Sequence, residues 1–154
     1  MFAPGVGQVM NEFDNSNELL AALVVSIYVL GLGAGPLVIA PLSEVYGRLI
    51  CYTICSILFV VFTIACAVST NLSMLIAFRL LAGCAGSSPL AIGGGTIADL
   101  FKAEERGVAI ALYSLGPVLG PAIGPVAGGF LSQAKGWRWI FWLLAIVVSL
   151  IHIT

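Results

Sequence analysis

Charged residues are scarce in this sequence of 154 residues, in which Lys and Arg number 6 and Asp and Glu 7. They make up 8% of the chain, whereas a soluble domain carries about 25%. So small a charged fraction cannot cover a surface in water, and the mean hydropathy of +1.13 agrees. The composition therefore predicts a membrane protein. The net charge of -1 argues against a basic patch for nucleic acid.

The apolar stretches also lack the residue pairs that catalytic and metal sites need. No long apolar stretch contains Asp or Glu, and none pairs a histidine with a carboxylate or a serine with a base. We therefore expect no enzyme site, no cofactor and no metal site. Cys51, Cys55, Cys66 and Cys84 lie within apolar runs and are interpreted as small hydrophobic residues. The opening residues lack the basic region and apolar core of a signal peptide.

Five apolar stretches are long enough, or nearly so, to cross a bilayer, at about 19–42, 49–69, 72–98, 108–132 and 139–154. A spanning helix needs about 20 apolar residues, which the first four provide. The fifth stops at the end of the chain without a polar flank, so we expect the sequence to be cut there. The predicted fold class is an all-α membrane protein with five transmembrane helices.

The connections between these spans are short, which makes neighbouring spans antiparallel. The loops after the first and third spans share a side and hold Arg48, Lys102 and Arg106, against Lys135 and Arg138 on the other side. This excess slightly favours a cytoplasmic position for the first set. Tryptophans gather at the start of the fifth span, as in an interfacial aromatic belt. They are Trp137, Trp139 and Trp142.

Glycine and proline divide the spans into two kinds. The first, third and fourth are rich in both, and the second and fifth contain neither. Close helix packing in lipid depends on small residues. We therefore expect the first, third and fourth spans to form the packed interior and the other two to face mostly lipid. In the second span, the branched and aromatic residues Ile54, Ile57, Phe59, Val60, Val61 and Phe62 fit that outer position.

The fourth span concentrates helix breakers in the stretch GPVLGPAIGPVAGG, residues 116–129. Gly116, Gly120, Gly124 and Gly128 recur every four residues, so they form a groove on one helix face for a neighbouring backbone. Pro117, Pro121 and Pro125 lie on an adjacent stripe, where each removes a hydrogen bond and bends the helix. A packing seam with no further role is an equally simple interpretation.

Three motifs resemble those of the major facilitator superfamily of secondary transporters, most closely fungal drug:proton antiporters. PLSEVYGR, residues 41–48, resembles the cytoplasmic loop motif, with Glu44, Gly47 and Arg48 in its places. RLLAGCAGSSPLAIGGGTIADLF, residues 79–101, resembles the fourth-helix motif, whose arginine is Arg79. GPAIGPVAGG, residues 120–129, resembles the antiporter motif of the fifth helix. Its matching positions are Gly120, Gly124, Pro125, Gly128 and Gly129.

The resemblance implies that the spans are helices two to six of a twelve-helix fold, forming most of the amino-terminal six-helix bundle. Residues 1–18 would be the end of helix one and the first outer loop, and residues 19–154 the partial bundle. The carboxyl-terminal half would be missing. The implied function is proton-coupled export of drugs, toxins or polyamines by alternating access. The implied partners are a small-molecule substrate, protons, the lipid bilayer and the missing half. We expect the plasma membrane, with the vacuolar membrane as the alternative.

Individual residues receive roles from this resemblance. Arg79 is the one basic residue inside a span, and such residues usually mark ion or substrate paths. We expect it to be a fixed charge beside a proton-carrying group or the cavity, although its side chain could instead reach the interface, about 10 Å away. An Arg48–Asp99 pair would join the first loop to the end of the third span. With Glu44 and Gly47 it would form a cytoplasmic gate.

Candidates for contact with substrate are polar residues with access to a central cavity: Ser26, Tyr28, Ser87, Ser88, Tyr113 and Ser114. Each could equally form a hydrogen bond between helices. Two other functions stay open for the chain as a whole. One is a uniporter or symporter of the same fold, and the other is a structural membrane protein without transport.

Overall fold

The computed structural model describes residues 5–14 and 18–153, and seven α-helices account for most of them. Their bounds are α1 Val6–Glu12, α2 Glu18–Tyr46, α3 Arg48–Val68, α4 Leu72–Gly86, α5 Ser88–Leu100, α6 Arg106–Lys135 and α7 Arg138–Ile153. Within this described part, four spans are long and apolar enough to cross a membrane, with α4 and α5 counted as one, and α7 is a shorter apolar helix. The chain is thus an all-α membrane protein.

The helix ends differ from the predicted spans for local reasons. The first span continues as helix to Tyr46, so most of SEVYGR is helical and the turn is Gly47 alone. Gly47 has φ of 93°, a conformation that glycine adopts without strain. The third span is divided at Ser87 because Pro89 lacks a backbone N–H and its ring clashes with the preceding turn. By contrast, α6 stays one helix although it contains Pro117, Pro121 and Pro125.

The connections between consecutive spans lie at the two ends of the bundle. We call the end with Gly47 and residues 101–105 the inner end, and the end with residues 69–71 and 136–137 the outer end, following the predicted orientation. The short helix α1 lies at the outer end, where Gln8 donates a hydrogen bond to the carbonyl oxygen of Ser132 at 2.9 Å. The prediction that residues 1–18 form a helix end and a loop falls partly outside the described residues.

Glycines bring the backbones of α2 and α4 into direct contact, although the first span as a whole is no more buried than the second. A Cβ atom placed on Gly31 would lie 2.5 Å from the carbonyl oxygen of Leu80 and 3.0 Å from the amide nitrogen of Cys84. A Cβ on Gly83 would likewise collide with the backbone of α2. The two backbones therefore touch at a spacing that only glycine permits.

The expected interior position of the fourth span is wrong for the described chain. α6 contacts mainly α7 and α5, and most of its residues are exposed. A Cβ on Gly116 or Gly120 would meet no atom within 4 Å, so no backbone fills that part of the expected groove. Only nearer the outer end are Gly124 and Gly128 buried. Small residues permit close packing but do not supply the partner.

The second span is not simply a lipid-facing helix. Ile54, Ile57 and Val61 are exposed as expected, but α3 also packs extensively against α4 and α7. Phe59 turns inward and borders two cavities, while Phe62 stacks with Phe78 at a centroid distance of 6.5 Å. The correction follows from helix geometry, because a helix that is apolar all round can place different faces against lipid and protein.

The three tryptophans near the start of α7 differ in their exposure. Trp139 and Trp142 are exposed, which suits an interfacial belt. Trp137 is only 3% exposed and joins the core cluster of the outer end with Val9, Val24, Cys66 and Phe141. The interpretation of Trp137 as a belt residue is therefore wrong, because α1 covers its ring.

Candidate functional site

Arg79 lies on the wall of the largest of the described cavities, which has a volume of about 740 Å³. α2, α3, α4 and α7 form most of its wall, and the middle of α6 closes one side with Pro117, Gly120, Pro121 and Pro125. Beside it, a Cβ atom on Gly116 or Gly120 of α6 would meet no described atom within 4 Å. We call this cavity the Arg79 cavity.

Two aromatic rings hold the Arg79 guanidinium. Its carbon atom lies 5.3 Å from the centroid of the Tyr28 ring and 5.8 Å from that of Phe141. Both distances fall within the range of cation–π attraction, which grows stronger where water is excluded. The Arg79 side chain is buried, with 6% of its surface exposed. The guanidinium is therefore packed inside the described bundle, next to the cavity.

A smaller cavity of about 390 Å³ lies on the other side of Tyr28 and Phe59, which border both. Tyr52, Ser56 and Ser88 also line it. Together the two cavities extend along the bundle from Arg79 in α4 to Ser88 at the start of α5. The arrangement can hold a mostly apolar molecule that has a few hydrogen-bonding groups.

The six polar candidates for substrate contact are therefore not brought together. Tyr28 borders both cavities and Ser88 the smaller one. Ser87 is buried at the α4–α5 junction, where its hydroxyl donates to the carbonyl oxygen of Cys84 at 2.7 Å. Tyr113 donates to the carbonyl oxygen of Pro89 and so joins α6 to α5. Ser26 and Ser114 are exposed and border neither cavity.

At the inner end, Arg48 Nε lies 2.9 Å from Asp99 Oδ2, which is the pair expected from the sequence. Arg48 Nη1 also donates to the carbonyl oxygen of Ile92 at 3.3 Å. Gly95 allows this approach, because any side chain there would collide with the guanidinium. Glu44 is exposed on the last turn of α2. The pair itself is partly exposed, at 33% and 60% for the two side chains.

Arg106, which the sequence suggested only as a topology signal, also contacts the end of α5. Its Nη2 donates to the carbonyl oxygen of Ala98 at 2.6 Å, and its Nε donates to that of Phe101 at 3.1 Å. Ala98 belongs to the last turn of α5 and Phe101 caps its end, where positive charge is favourable. Two arginines therefore hold the segment that carries Asp99.

Phe59 and Phe141 are cavity residues that the sequence alone did not reveal. Both lie in spans that contain no glycine or proline, so their composition indicated a lipid-facing role. No local signal distinguishes an inward phenylalanine from an outward one in a helix that is apolar all round. Among residues 5–14 and 18–153, the structure places no group of three His, Cys, Asp or Glu that could hold a metal ion.

Comparison with known proteins gives a consistent result. Residues 1–153 match the family described as Major Facilitator Superfamily. The chain is 62% identical over 153 residues to "Efflux pump radE" of Floropilus chiversii, covering 99% of this chain and 28% of that protein. It is 60% identical over 153 residues to "MFS-type transporter hepF" of Aspergillus oryzae, covering 99% of this chain and 32% of the relative.

A third relative, "MFS-type transporter tndD" of Aspergillus flavipes, is 65% identical over 147 residues, which cover 96% of this chain and 27% of that protein. The chain thus spans 27% to 32% of the length of these three curated relatives.

Proposed function

The chain belongs to the major facilitator superfamily, a family of membrane transporters rather than enzymes, and from that premise we propose that it forms most of the amino-terminal bundle of a proton-coupled exporter. The exporter moves drugs, toxins or polyamines by alternating access. The relative named as an efflux pump favours export over uptake. The plasma membrane is the proposed location.

The observation that carries this proposal is the position of Arg79. A buried guanidinium on the wall of an apolar cavity is costly, by about 2.5–3.5 kcal/mol on insertion scales, so it usually serves an ion or substrate path. The two aromatic rings offset part of this cost and fix the charge in place. A carboxylate that lost its proton beside Arg79 would be stabilised as an anion.

The proposed proton carrier lies outside the five spans, since these contain no aspartate or glutamate. We place this carrier in the missing helices, on a segment that borders the Arg79 cavity. Residues 1–18 are proposed as the end of the first helix and the first outer loop. The remaining partner is a carboxyl-terminal bundle, because alternating access needs two bundles that move about a central site.

The inner end is proposed as the cytoplasmic gate. Arg48 and Asp99 join the α2–α3 turn to the end of α5, and Gly47 allows the sharp turn that places Arg48 there. Exposed Glu44 is available to the amino-terminal end of a helix in the second bundle, where negative charge is favourable. These contacts hold the outward-facing state and break when the bundles rock.

The antiporter motif is proposed as a seam on α6. Gly120 and Pro125 border the Arg79 cavity, and the exposed small-residue face around Gly116 has no neighbour in the described chain. A helix of the second bundle packs there and prevents leakage of substrate or protons.

The test replaces Arg79 in the complete protein that contains this chain, expressed in yeast cells that lack their own drug exporters. Export of a panel of fungal toxins and of radiolabelled spermidine is measured in inverted vesicles with an imposed pH gradient. Arg79→Gln should lower proton-driven transport at least tenfold, because the fixed charge is lost. Arg79→Lys should retain part of the activity, because the charge stays.

Lys135→Gln is the matched control, since it removes an exposed positive charge at the outer end and should leave transport unchanged. Full activity of Arg79→Gln would refute the assigned role. Transport that proceeds without proton movement would support the uniporter alternative instead.

A further inference from the structure

Three consecutive glycines lie in the middle of α5, where each weakens the helix: Gly93, Gly94 and Gly95. A Cβ atom on Gly93 would lie 2.9 Å from the Cε2 atom of the Tyr113 ring, which comes from α6, and still closer to its hydroxyl group. A Cβ on Gly95 would collide with the Arg48 guanidinium, whereas one on Gly94 would meet no described atom within 4 Å. Two of the three glycines therefore make room for a side chain from another part of the bundle.

The space at Gly93 belongs to a socket for Tyr113. The Tyr113 hydroxyl donates a hydrogen bond to the carbonyl oxygen of Pro89, which lies four residues before Gly93 and therefore on the same face of α5. We call Pro89 and Gly93 the Tyr113 socket. The contact combines close packing on a glycine with a hydrogen bond, which are the two interactions that join helices in lipid.

Arg48 holds a different face of α5. Its guanidinium donates to the carbonyl oxygen of Ile92 at 3.3 Å and pairs with Asp99. Ile92, Gly95 and Asp99 are spaced three and four residues apart, so they share one helix face. Gly93, two residues from Gly95, points in another direction. α5 is therefore held on one face by the α2–α3 turn and on another face by α6.

Tyr113 fixes the inner half of α6. Among residues 106–123, all of which the structure describes, every residue except Ala109 and Tyr113 is exposed. Farther along the same helix face lie Pro117 and Gly120, which border the Arg79 cavity and have no large side chain to hold the helix. A slide of α6 by one turn, about 5.4 Å, would take the Tyr113 ring off its socket. The socket therefore sets the height and the rotation of the helix that carries the antiporter motif.

We propose that Tyr113 is a positioning residue for α6, and that its socket couples the inner gate to the seam on α6. When Arg48 separates from Asp99, one face of α5 is released, but Tyr113 still holds α6 against the other face. α5 and α6 then move as one unit, which the break of the third span at Ser87 allows. Without the Tyr113 ring, α6 turns independently of the gate, and its seam leaks protons. The inference rests on the proposed function for the gate and the seam.

The position of α6 is measured first, without transport. In the complete protein in lipid nanodiscs, all native cysteines are replaced by alanine, and spin labels are attached through Leu100→Cys on α5 and Leu115→Cys on α6, where both leucines are exposed. Pulsed electron paramagnetic resonance then gives the distribution of distances between the labels. Tyr113→Ala should at least double the width of this distribution, because the socket is empty. Tyr113→Phe should widen it much less, because the ring still fills the socket.

The glycine triplet provides a matched pair of variants. Gly93→Ala should shift the mean distance between the labels, because the added methyl group displaces the Tyr113 ring. Gly94→Ala adds the same group to the next residue, where it meets no described atom, and should leave the distribution unchanged. Once Tyr113 is replaced by alanine, Gly93→Ala should have no further effect, because both changes act on one contact.

Coupling is then measured as proton leak. The variants are reconstituted into liposomes that contain a pH-sensitive dye, and an imposed pH gradient drives proton entry in the absence of substrate. Tyr113→Ala should raise the rate of proton entry at least threefold, because α6 no longer follows the gate. Gly94→Ala should leave the rate unchanged.

Three results would overturn the proposal. An unchanged distance distribution in both Tyr113→Ala and Gly93→Ala would mean that the socket does not position α6. An equal effect of Gly94→Ala would mean that any substitution in the triplet loosens α5. A wider distribution without added proton leak would mean that Tyr113 places α6 but does not couple it to the gate. The distances do not depend on transport, so they test the socket even if Arg79→Gln refutes the proposed exporter.

Discussion

The α2–α4 interface and helix α6 are both rich in glycine, but their environments are opposite. At the interface, Gly31 and Gly83 bring two backbones into contact, and a single added carbon would collide. On α6, Gly116 and Gly120 have open space where a side chain would be. Small residues thus allow two helices to pack closely, but close packing occurs only where a neighbouring backbone is present. The proposed second bundle supplies that partner for α6.

The largest expected effect is on the α2–α4 interface. Gly31→Ala in the complete protein should lower stability by about 1–3 kcal/mol, because overpacking pushes two backbones apart. The measurement is the midpoint of thermal unfolding in detergent, followed by tryptophan fluorescence. Gly33→Ala is the matched control two residues away, where an added Cβ meets nothing within 4 Å. It should be neutral or slightly stabilising, because alanine favours helix. If Gly31→Ala and Gly33→Ala changed the unfolding midpoint equally, contact between the two backbones would not be what makes Gly31 necessary.

A moderate effect is expected where α6 is joined to α5. Tyr113→Phe removes the hydrogen bond to the carbonyl oxygen of Pro89 and leaves the ring against Gly93. Hydrogen bonds between membrane helices contribute roughly 0.6 kcal/mol, with a maximum near 1.7. The unfolding midpoint should therefore fall slightly, and proteolysis near residues 101–105 should become faster. An unchanged rate of proteolysis near residues 101–105 would show that this hydrogen bond does not hold α6 against α5.

The smallest effect on stability is expected at the open face of α6. Gly116→Ala should change the unfolding midpoint little or raise it, because the added methyl group meets no described atom and improves helix propensity. Transport should nevertheless fall if a helix of the second bundle packs on this face. Normal transport together with normal stability would indicate that the face has no partner, and α6 would then be a loosely packed helix without a seam.

Part of the site could be predicted from the sequence, because some residues stand out in any fold. Arg79 is the one basic residue within a span, so its importance follows from the cost of burying a charge. The Arg48–Asp99 pair follows from the positions of one arginine and one aspartate at the same end of antiparallel helices. Phe59, Phe141 and Trp137 could not be assigned in this way, since apolar residues satisfy lipid and protein interior equally well.

By itself, the sequence determined the membrane environment and the antiparallel order of the spans. Both follow from local quantities, namely the scarcity of charge, the length of each apolar run and the shortness of the connections. The tertiary structure decided which helix faces meet, which glycines have a partner, and where the cavity lies beside Arg79. The physical reason is that lipid exerts no hydrophobic force between helices, so their packing depends on the fit of particular surfaces rather than on composition.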